Sequence, residues 1–329
     1  MIFSLTQRQF SSPDQALMYD TKDVEQLGEF DVRVKLIYAP INPADMNMIE
    51  GQYIFQPEHP CVLGNEAVGE VIEVGSAVSS YQVGDRVIHP FQSAQSWVGF
   101  WRSSWCIHQD DCLKVPDYVS DEQASMLSIN PITVYLMLTQ FVNLKSEDWI
   151  IQNCANSGVG RWVIFLARKF GLRTVNIVRH ESQVAELLAL GADDVIVQHD
   201  RFSSAVSQKG NIKLALNGVG GASAKECAKT LADYGTMVTY GAMAREPITL
   251  GNALFIYKNL ALTGFNRTRW VGEQSRAVIV AAFKDLFKLC SNDVCTVPIA
   301  ARFHLRDFVS AFESYNDESR QGKILFHCS

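Results

Sequence analysis

The sequence of 329 residues lacks the cysteine patterns from which zinc ribbons and disulfide frameworks are built. Its eight cysteines are scattered along the chain, and no pair is separated by only two residues. A chain of this length buries a sizeable core without covalent cross-links. We therefore expect free cysteines, no clustered structural metal site and a reducing, intracellular setting.

Long hydrophobic runs and an excess of positive charge are also missing. No apolar run approaches the ~18 residues of a membrane-spanning helix, and the start of the chain does not show the basic-then-apolar order of a secretory signal. The 29 Lys and Arg residues face 35 Asp and Glu residues, which gives a net charge of −6. These absences predict no membrane and no nucleic-acid partner. They also predict a cytoplasmic location, or the mitochondrial matrix if a transit peptide has been removed.

The chain shows two different sequence textures. Short β-rich runs separated by Gly and Pro occupy residues 1–122, whereas strand and helix patterns alternate at least four times in residues 123–270. Such alternation predicts an α/β fold with a parallel, doubly wound sheet covered by helices on both faces. Residues 271–329 contain two helical segments and a last strand, and we expect them to return to the first domain.

A strand, a glycine-containing turn and a helix follow one another at the start of the α/β region. The turn contains Asn156, Ser157, Gly158 and Val159, between a strand over 149–153 and a helical segment that ends at Gly171. Glycines let the backbone approach a pyrophosphate, and a helix N-terminus offers unpaired N–H groups. The context predicts a dinucleotide-binding turn, with a plain packing turn as the alternative.

The end of the second strand indicates which dinucleotide binds. An NAD site usually has Asp or Glu there, to hold the ribose 2′-hydroxyl. This chain has Arg179 instead, and Glu181 follows it at the start of the next helical segment. A guanidinium suits a 2′-phosphate in geometry and charge. We therefore predict NADPH as the cofactor; the alternative is that Arg179 is a solvated loop residue.

With these motifs, the chain resembles the medium-chain dehydrogenase/reductase superfamily over nearly its full length. The segment LGNEAVGEVIEVG (63–75) matches the stretch in which zinc alcohol dehydrogenases carry Gly-His-Glu, with Asn65 in place of the zinc-binding His. Asn42 stands where the first zinc Cys is expected, and residues 128–131 contain no Cys. Amide side chains are poor zinc ligands. This departure predicts that the protein holds no catalytic metal.

Within the superfamily, the chain most resembles the 2-enoyl thioester reductases of mitochondrial-type fatty acid synthesis. Four stretches carry the resemblance: INPADMNMIEGQY (41–53), NPITVYLML (130–138), IIQNCANSGVG (150–160) and VTYGAMAREP (238–247). It implies a discontinuous GroES-like catalytic domain, a Rossmann domain, an active site in the cleft between them and a homodimer. The implied reaction is the reduction of a trans-2-enoyl thioester, on coenzyme A or acyl carrier protein, by NADPH.

The resemblance also assigns roles to residues. Tyr53 matches the catalytic tyrosine of the family, whose neutral hydroxyl can stabilise the negative charge that hydride addition builds on the thioester oxygen. Asn266 stands where the family commonly has a Trp that shapes the acyl site, so the preferred acyl length stays open. The residues that align with cofactor contacts are Asn130, Asn156, Ser157, Gly158, Val159, Arg179, Tyr240, Gly241, Ala242, Met243, Phe265 and Lys323.

Two alternative functions and one candidate partner surface remain. An NADPH:quinone reductase of the same superfamily would not need Tyr53, and an NADPH sensor would bind the cofactor without turnover. Arg267, Arg269 and Arg276 are a candidate surface for acyl carrier protein, whose own surface is acidic.

Overall fold

The computed structural model describes residues 1–206 and 210–328. It divides into two compact units, of which the first is Met1–Ile129 with Thr268–Ser329 and the second is Asn130–Arg267. The units change over at 129/130 and 267/268, whereas the sequence predicts domain boundaries at 122/123 and 270/271. Within the described ranges, no helix has the length and apolar character needed to cross a membrane.

The first part of unit 1 consists of short strands and three short helices. In chain order they are β1 (Ile2–Gln7), α1 (Pro13–Ala16), β2 (Leu17–Lys22), β3 (Asp31–Pro40), α2 (Pro43–Ile49), β4 (Cys61–Val62), β5 (Val68–Val74), β6 (Arg86–Ile88), β7 (Ser104–His108), β8 (Leu113–Lys114) and α3 (Asp121–Ala124). Strand β1 lies between β2 and β4 in a three-stranded sheet. Strand β3 is the longest of the unit and pairs with both β5 and β7.

Unit 2 has the alternating pattern that the sequence predicts. Its elements are α4 (Asn130–Gln140), β9 (Trp149–Gln152), α5 (Gly158–Lys169), β10 (Arg173–Val178), α6 (Val184–Leu190), β11 (Asp194–Val197), α7 (Ser203–Val206), β12 (Ile212–Asn217), α8 (Gly221–Thr230), β13 (Leu231–Thr239), α9 (Asn252–Lys258) and β14 (Ala261–Gly264). All pairs are parallel, in the order β11-β10-β9-β12-β13-β14. The order reverses between β9 and β12, which is the switch point where doubly wound sheets bind ligands.

The C-terminal part of the chain completes the large sheet of unit 1. Its elements are α10 (Arg267–Glu273), α11 (Arg276–Cys290), β15 (Ile299–His304), α12 (Phe308–Asn316) and β16 (Lys323–His327). Strand β16 pairs parallel with β15 and antiparallel with β3. The fully buried Trp101 joins the first part of unit 1 to its C-terminal part. The centroid of its ring lies 5.7 Å from that of Phe312 and 5.2 Å from that of Phe326.

One boundary differs from the sequence pattern. The pattern over 221–235 favours a single helix, but α8 ends at Thr230 and β13 begins at Leu231. Leu231 is buried opposite Ile212 of β12, and Tyr234 takes a left-handed φ of 61°. Burial of the Leu231 side chain in the sheet therefore outweighs the helical preference of the residues around it.

Candidate active site

The turn between β9 and α5 has the close packing of a nucleotide-binding turn. A Cβ on Gly160 would lie 2.3 Å from the carbonyl oxygen of Ala155, so this position accepts only glycine. Ser157 is the N-cap of α5, and its Oγ accepts the Gly160 N–H at 3.0 Å. The intervening Gly158 and Val159 are partly exposed. The amino end of α5 therefore presents backbone N–H groups, the arrangement that binds phosphate at helix N-termini.

Two asparagines outside the set of predicted site residues fix the loops at the switch point. Asn153 follows β9, and its Nδ2 donates to Oδ1 of Asn217, the last residue of β12, at 2.8 Å. The Gly218 N–H donates to Asn153 Oδ1 at 2.8 Å, and the Gly220 N–H donates to Asn217 Oδ1 at 3.0 Å. The available signal was a polar residue at the end of each of two apolar strands, WIIQN and KLALN. These amides fix the loops that border the predicted cofactor site.

The stretch from Tyr240 to Met243 runs along the loop after β12. The Tyr240 N–H donates to the Asn217 carbonyl at 3.0 Å, and the Met243 N–H donates to the Gly218 carbonyl at 3.1 Å. A Cβ on Gly241 would lie 2.8 Å from the Gly218 oxygen, so the two backbones are in direct contact. Ala242 completes the stretch.

Two of the predicted cofactor residues present buried donors that lack a protein partner. The Tyr240 hydroxyl and the Asn130 Nδ2 have no hydrogen-bond partner within residues 1–206 and 210–328. Burial also raises the pKa of Tyr240, so the phenol keeps its proton. Buried polar groups in native proteins are nearly always satisfied. These orphaned donors, together with the glycine-lined turn, fit a bound dinucleotide.

Arg179 and Phe265 lie at the ends of strands of the same sheet. Arg179 directly follows β10 and is exposed, and its guanidinium has no hydrogen bond or ion pair in the described ranges. The charge of Arg179 acts on the turn before α5. Burial raises the pKa of Cys154 in that turn, and the Arg179 charge opposes this rise. Phe265 follows β14, donates its N–H to the Thr239 carbonyl at 2.9 Å and packs against Phe141.

Tyr53 lies in unit 1, in the loop that follows α2. Its N–H donates to the Asn47 carbonyl at 3.1 Å. Gly51 turns the chain with φ +72°, where a Cβ would lie 2.8 Å from the Phe10 ring. The Tyr53 side chain is partly buried against the core of the unit, whereas the next residue, Ile54, is 91% exposed. Tyr53 therefore lies at the boundary between the core and the surface of unit 1.

Lys323, at the start of β16, belongs to a buried polar network at the amino end of α2. Its ammonium donates to the amide oxygen of Asn42, whose Nδ2 donates to Glu66 at 3.0 Å. Asp45 accepts from the Asn42 N–H and from Asn65 Nδ2, both at 2.7 Å. Burial lowers the pKa of Lys323, and the carboxylates of Glu66 and Asp45 oppose that shift. The ammonium thus has partners within its own unit, and its contact with the cofactor stays a prediction.

The same network tests whether zinc fits at Asn42 and Asn65. The donors gathered there are two amides, two carboxylates and the Lys323 ammonium, with no thiolate or imidazole among them. An ammonium repels a second cation, and amides are weak zinc ligands. Across residues 1–206 and 210–328, no three His, Cys, Asp or Glu side chains are grouped to hold a metal ion. The residues do not fit zinc.

The predicted arginine surface for acyl carrier protein loses one of its three residues, because Arg267 is buried. Arg276 pairs with Asp111 at 2.7 Å and stacks over a phenylalanine ring. Arg269 is exposed and lies 3.4 Å from Glu273. The role of Arg269 and Arg276 toward a carrier protein stays a prediction.

The predicted site residues divide between the two units. Tyr53 and Lys323 belong to unit 1. The remaining predicted residues belong to unit 2, at the amino end of α4, the turn before α5 and the ends of β10, β13 and β14; they are Asn130, Asn156, Ser157, Gly158, Val159, Arg179, Tyr240, Gly241, Ala242, Met243 and Phe265.

Two family models match the chain. An alcohol dehydrogenase GroES-like domain matches residues 28–117, and a zinc-binding dehydrogenase domain matches residues 158–284. With the parallel sheet of unit 2, these matches define a dehydrogenase or reductase with a GroES-like and a Rossmann-type domain. The fold class predicted from the sequence is confirmed.

Comparisons over the whole chain narrow this class. The chain is 39% identical over 292 residues to the mitochondrial enoyl-acyl-carrier-protein reductase of Homo sapiens, which covers 86% of this chain and 77% of the relative. It matches the mitochondrial 2-enoyl thioester reductase Etr1p/Etr2p heterodimer of Candida tropicalis with a TM-score of 0.87, 28% identity and 99% coverage of both chains. The Etr1p complex with NADP and crotonyl-CoA matches with a TM-score of 0.87, 27% identity and the same coverage. The chain belongs to the mitochondrial enoyl-acyl-carrier-protein reductase family, as its sequence resemblance implies.

Proposed function

We propose that this chain reduces trans-2-enoyl thioesters to saturated acyl thioesters with NADPH. The observation that carries the proposal is the make-up of unit 1. The amino end of α2 offers Asn42 and Asn65 instead of zinc ligands, and α2 leads directly to Tyr53, a neutral hydrogen-bond donor. An enoyl thioester needs a donor at its oxygen rather than a metal, and the relatives named as enoyl reductases span most of this chain.

Tyr53 is assigned the stabilisation of the thioester oxygen. Hydride addition at C3 breaks the carbon–carbon double bond and moves negative charge to that oxygen, and a proton delivered to C2 completes the reduction. A hydroxyl that donates to the oxygen lowers the energy of the charged state. The backbone bond from Tyr53 to Asn47 holds this residue in place before substrate arrives.

The cofactor-binding role is assigned to unit 2. NADPH, when bound, supplies the hydride. The backbone N–H groups of residues 156–159 would hold its diphosphate, and Arg179 would hold its 2′-phosphate. The orphaned Tyr240 hydroxyl and Asn130 amide would donate to its polar groups. This arrangement selects NADPH over NADH through Arg179.

A homodimer is proposed through the edge of the unit 2 sheet. Strand β14 ends the sheet order, and Leu262 on it is 44% exposed. On the preceding helix, Ile256 and Tyr257 are 70% and 81% exposed. An open strand edge beside exposed apolar side chains favours pairing with a second copy. Sedimentation equilibrium that gave only the 36.7 kDa monomer at micromolar concentration would contradict the proposal.

Acyl carrier protein as the physiological carrier, and a mitochondrial site of action, are also proposed. Both follow from the relatives, which are mitochondrial enoyl-acyl-carrier-protein reductases and do not support the predicted cytoplasmic location. The complex of Etr1p with crotonyl-CoA supports a coenzyme A thioester as a working substrate for assays.

The decisive experiment replaces Tyr53 with Phe. Steady-state oxidation of NADPH by crotonyl-CoA should fall about 100-fold or more, the range for loss of one positioned donor. NADPH affinity, measured by fluorescence titration, should stay within about twofold of the wild-type value because Tyr53 is not one of the predicted cofactor residues.

The matched control is Tyr234→Phe, since Tyr234 is an exposed tyrosine of unit 2 and should tolerate the change. Wild-type protein that oxidises NADPH with a quinone but with no enoyl thioester would favour a quinone reductase. Tight NADPH binding without turnover of either coenzyme A or carrier-bound substrates would favour a sensor.

A further inference from the structure

Helix α2, which precedes Tyr53, is fixed at its amino end by a buried carboxylate. Asp45 is fully buried and accepts three hydrogen bonds: from the Asn42 N–H at 2.7 Å, from the Asn65 Nδ2 at 2.7 Å and from the Asn65 N–H at 3.2 Å. Asn65 lies just before β5. The carboxylate therefore joins the start of α2 to the segment that leads into β5.

The carboxyl end of the same helix is fixed by a buried amide. Gln7, the last residue of β1, is fully buried, and its Nε2 lies 3.2 Å from both the Met48 and the Ile49 carbonyl oxygens. Those carbonyls belong to the last turn of α2, where helical partners run out. The Ser11 N–H reaches the Ile49 carbonyl as well, at 3.2 Å. Helix α2 is thus clamped between β1 and the segment before β5.

Burial of the Asp45 and Gln7 side chains has an unfavourable contribution to the free energy of folding. Burial raises the pKa of Asp45 to about 6, so its ionised form is disfavoured in the fold. The Gln7 Oε1 is buried without a hydrogen-bond partner in the described ranges. A buried polar atom without a partner is destabilising, and an apolar side chain of the same size would avoid that cost. Stability alone therefore does not explain these two residues.

The clamp is connected to Tyr53 through one carbonyl. Asn47 lies between the two fixed ends of α2, and its oxygen accepts the Gln52 N–H at 2.7 Å and the Tyr53 N–H at 3.1 Å. A rotation or shift of α2 would move this carbonyl and, with it, the loop of Gln52 and Tyr53 that is hydrogen-bonded to it. The place of the Tyr53 hydroxyl thus depends on how firmly α2 is held.

We propose that Asp45 and Gln7 are positioning residues, which set the Tyr53 hydroxyl for reaction by holding the two ends of α2. The proposed role does not require either residue to contact the substrate. The inference rests on the proposed function, because it needs Tyr53 to act in turnover.

The experiment is a pair of double-mutant cycles in the full-length protein. Gln7→Leu and Asp45→Asn are each made alone and together with Tyr53→Phe, and NADPH oxidation by crotonyl-CoA is measured. Each single variant should lower kcat by about 10- to 100-fold, as expected when a reacting group is misplaced by roughly 1 Å. NADPH affinity should be unchanged in Gln7→Leu. In the Tyr53→Phe background, neither change should lower kcat further, because there is no hydroxyl left to position.

The controls separate positioning from loss of fold. Gln9→Leu changes an exposed glutamine two residues beyond Gln7, and Asp14→Asn removes an exposed carboxylate from α1. Both controls should keep wild-type kcat. Activities are normalised to the folded fraction from circular dichroism, and if Asp45→Asn fails to fold, Gln7→Leu decides the test.

The outcomes are distinguishable. Single variants with wild-type kcat, or with losses that multiply with that of Tyr53→Phe, would overturn the positioning role while leaving the enoyl reductase intact. If Tyr53→Phe itself retained full activity, the catalytic assignment of the proposed function would fail, and the positioning role with it.

Discussion

The amino ends of α2 and α5 use similar residues in opposite ways. At α2, the protein fills the helix end with its own charge: the Asp45 carboxylate accepts from Asn42 and Asn65, with the Lys323 ammonium close by. At α5, the N-cap is the small hydroxyl of Ser157, and the neighbouring N–H groups face no carboxylate of the described ranges.

The difference shows which helix end can take a ligand. Helix N-termini attract anions, and an internal carboxylate uses up that attraction. The charged side chain beside the α5 turn is Arg179, which is exposed and has no ion-pair partner in the part of the chain described. The α2 end is closed and serves to fix a helix, whereas the α5 end is open and suits a phosphate.

The largest effect is expected from removing the internal charge of α2. The folded-state pKa of Asp45, about 6, lies above its ordinary 3.8. The fold therefore binds this proton more tightly than the unfolded chain, and the resulting stability is fully present below about pH 4 and lost as pH rises through 6. In Asp45→Asn, position 45 carries no titratable group. The unfolding free energy of wild type relative to this variant should therefore fall by about 3 kcal/mol between pH 3 and pH 7.

Urea unfolding at several pH values measures this difference. The Asp45 charge also interacts with Lys323, whose pKa burial lowers, and with Tyr315, whose pKa burial raises to about 12; both side chains are present in wild type and in Asp45→Asn. The control is Asp14→Asn, a change at an exposed position. A flat difference for Asp45→Asn would mean that the carboxylate is not held in a buried, costly state.

The next largest effect is expected at the open end, from closing the α5 turn. Gly160→Ala places a Cβ 2.3 Å from the Ala155 oxygen, which forces the turn and the helix apart. NADPH should bind about 100-fold more weakly, on the order of 2.7 kcal/mol, as measured by calorimetric titration. Gly251→Ala is the matched control, because a Cβ there meets nothing within 4 Å. Equal NADPH affinity in the two variants would argue that the turn does not hold the cofactor.

The open end could be predicted from sequence, because its signals are local. A short apolar strand, a glycine turn and an amphipathic helix follow one another within about 20 residues, and β9, the turn and α5 form as that pattern predicts. The helix predicted over 221–235 is too long, because Leu231 is buried against β12. This tertiary contact cannot be deduced from the helical preference of the neighbouring residues.

The closed end could not be predicted, because its contacts join distant parts of the chain. Gln7 meets Met48 across 41 residues, and Lys323 meets Asn42 across 281. The sequence shows that Asn42 and Asn65 are not zinc ligands, but it does not show what they bind instead. The same holds for Arg276, whose partner Asp111 lies 165 residues away.

The smallest effect, on NADPH affinity, is expected from removing the Arg179 charge beside the amino end of α5. Arg179→Ala should weaken NADPH binding about 10-fold, roughly 1.4 kcal/mol, at low salt. NADH binding should not change, because NADH has no 2′-phosphate. Raising the ionic strength should shrink the difference in NADPH affinity between wild type and Arg179→Ala, since the guanidinium is exposed and screened by salt.

Arg173→Ala is the control on the same strand, because Arg173 is paired with Glu147 and Asp193 at the opposite end of β10. Equal losses for NADPH and NADH in Arg179→Ala would show that this arginine supports the turn rather than the 2′-phosphate.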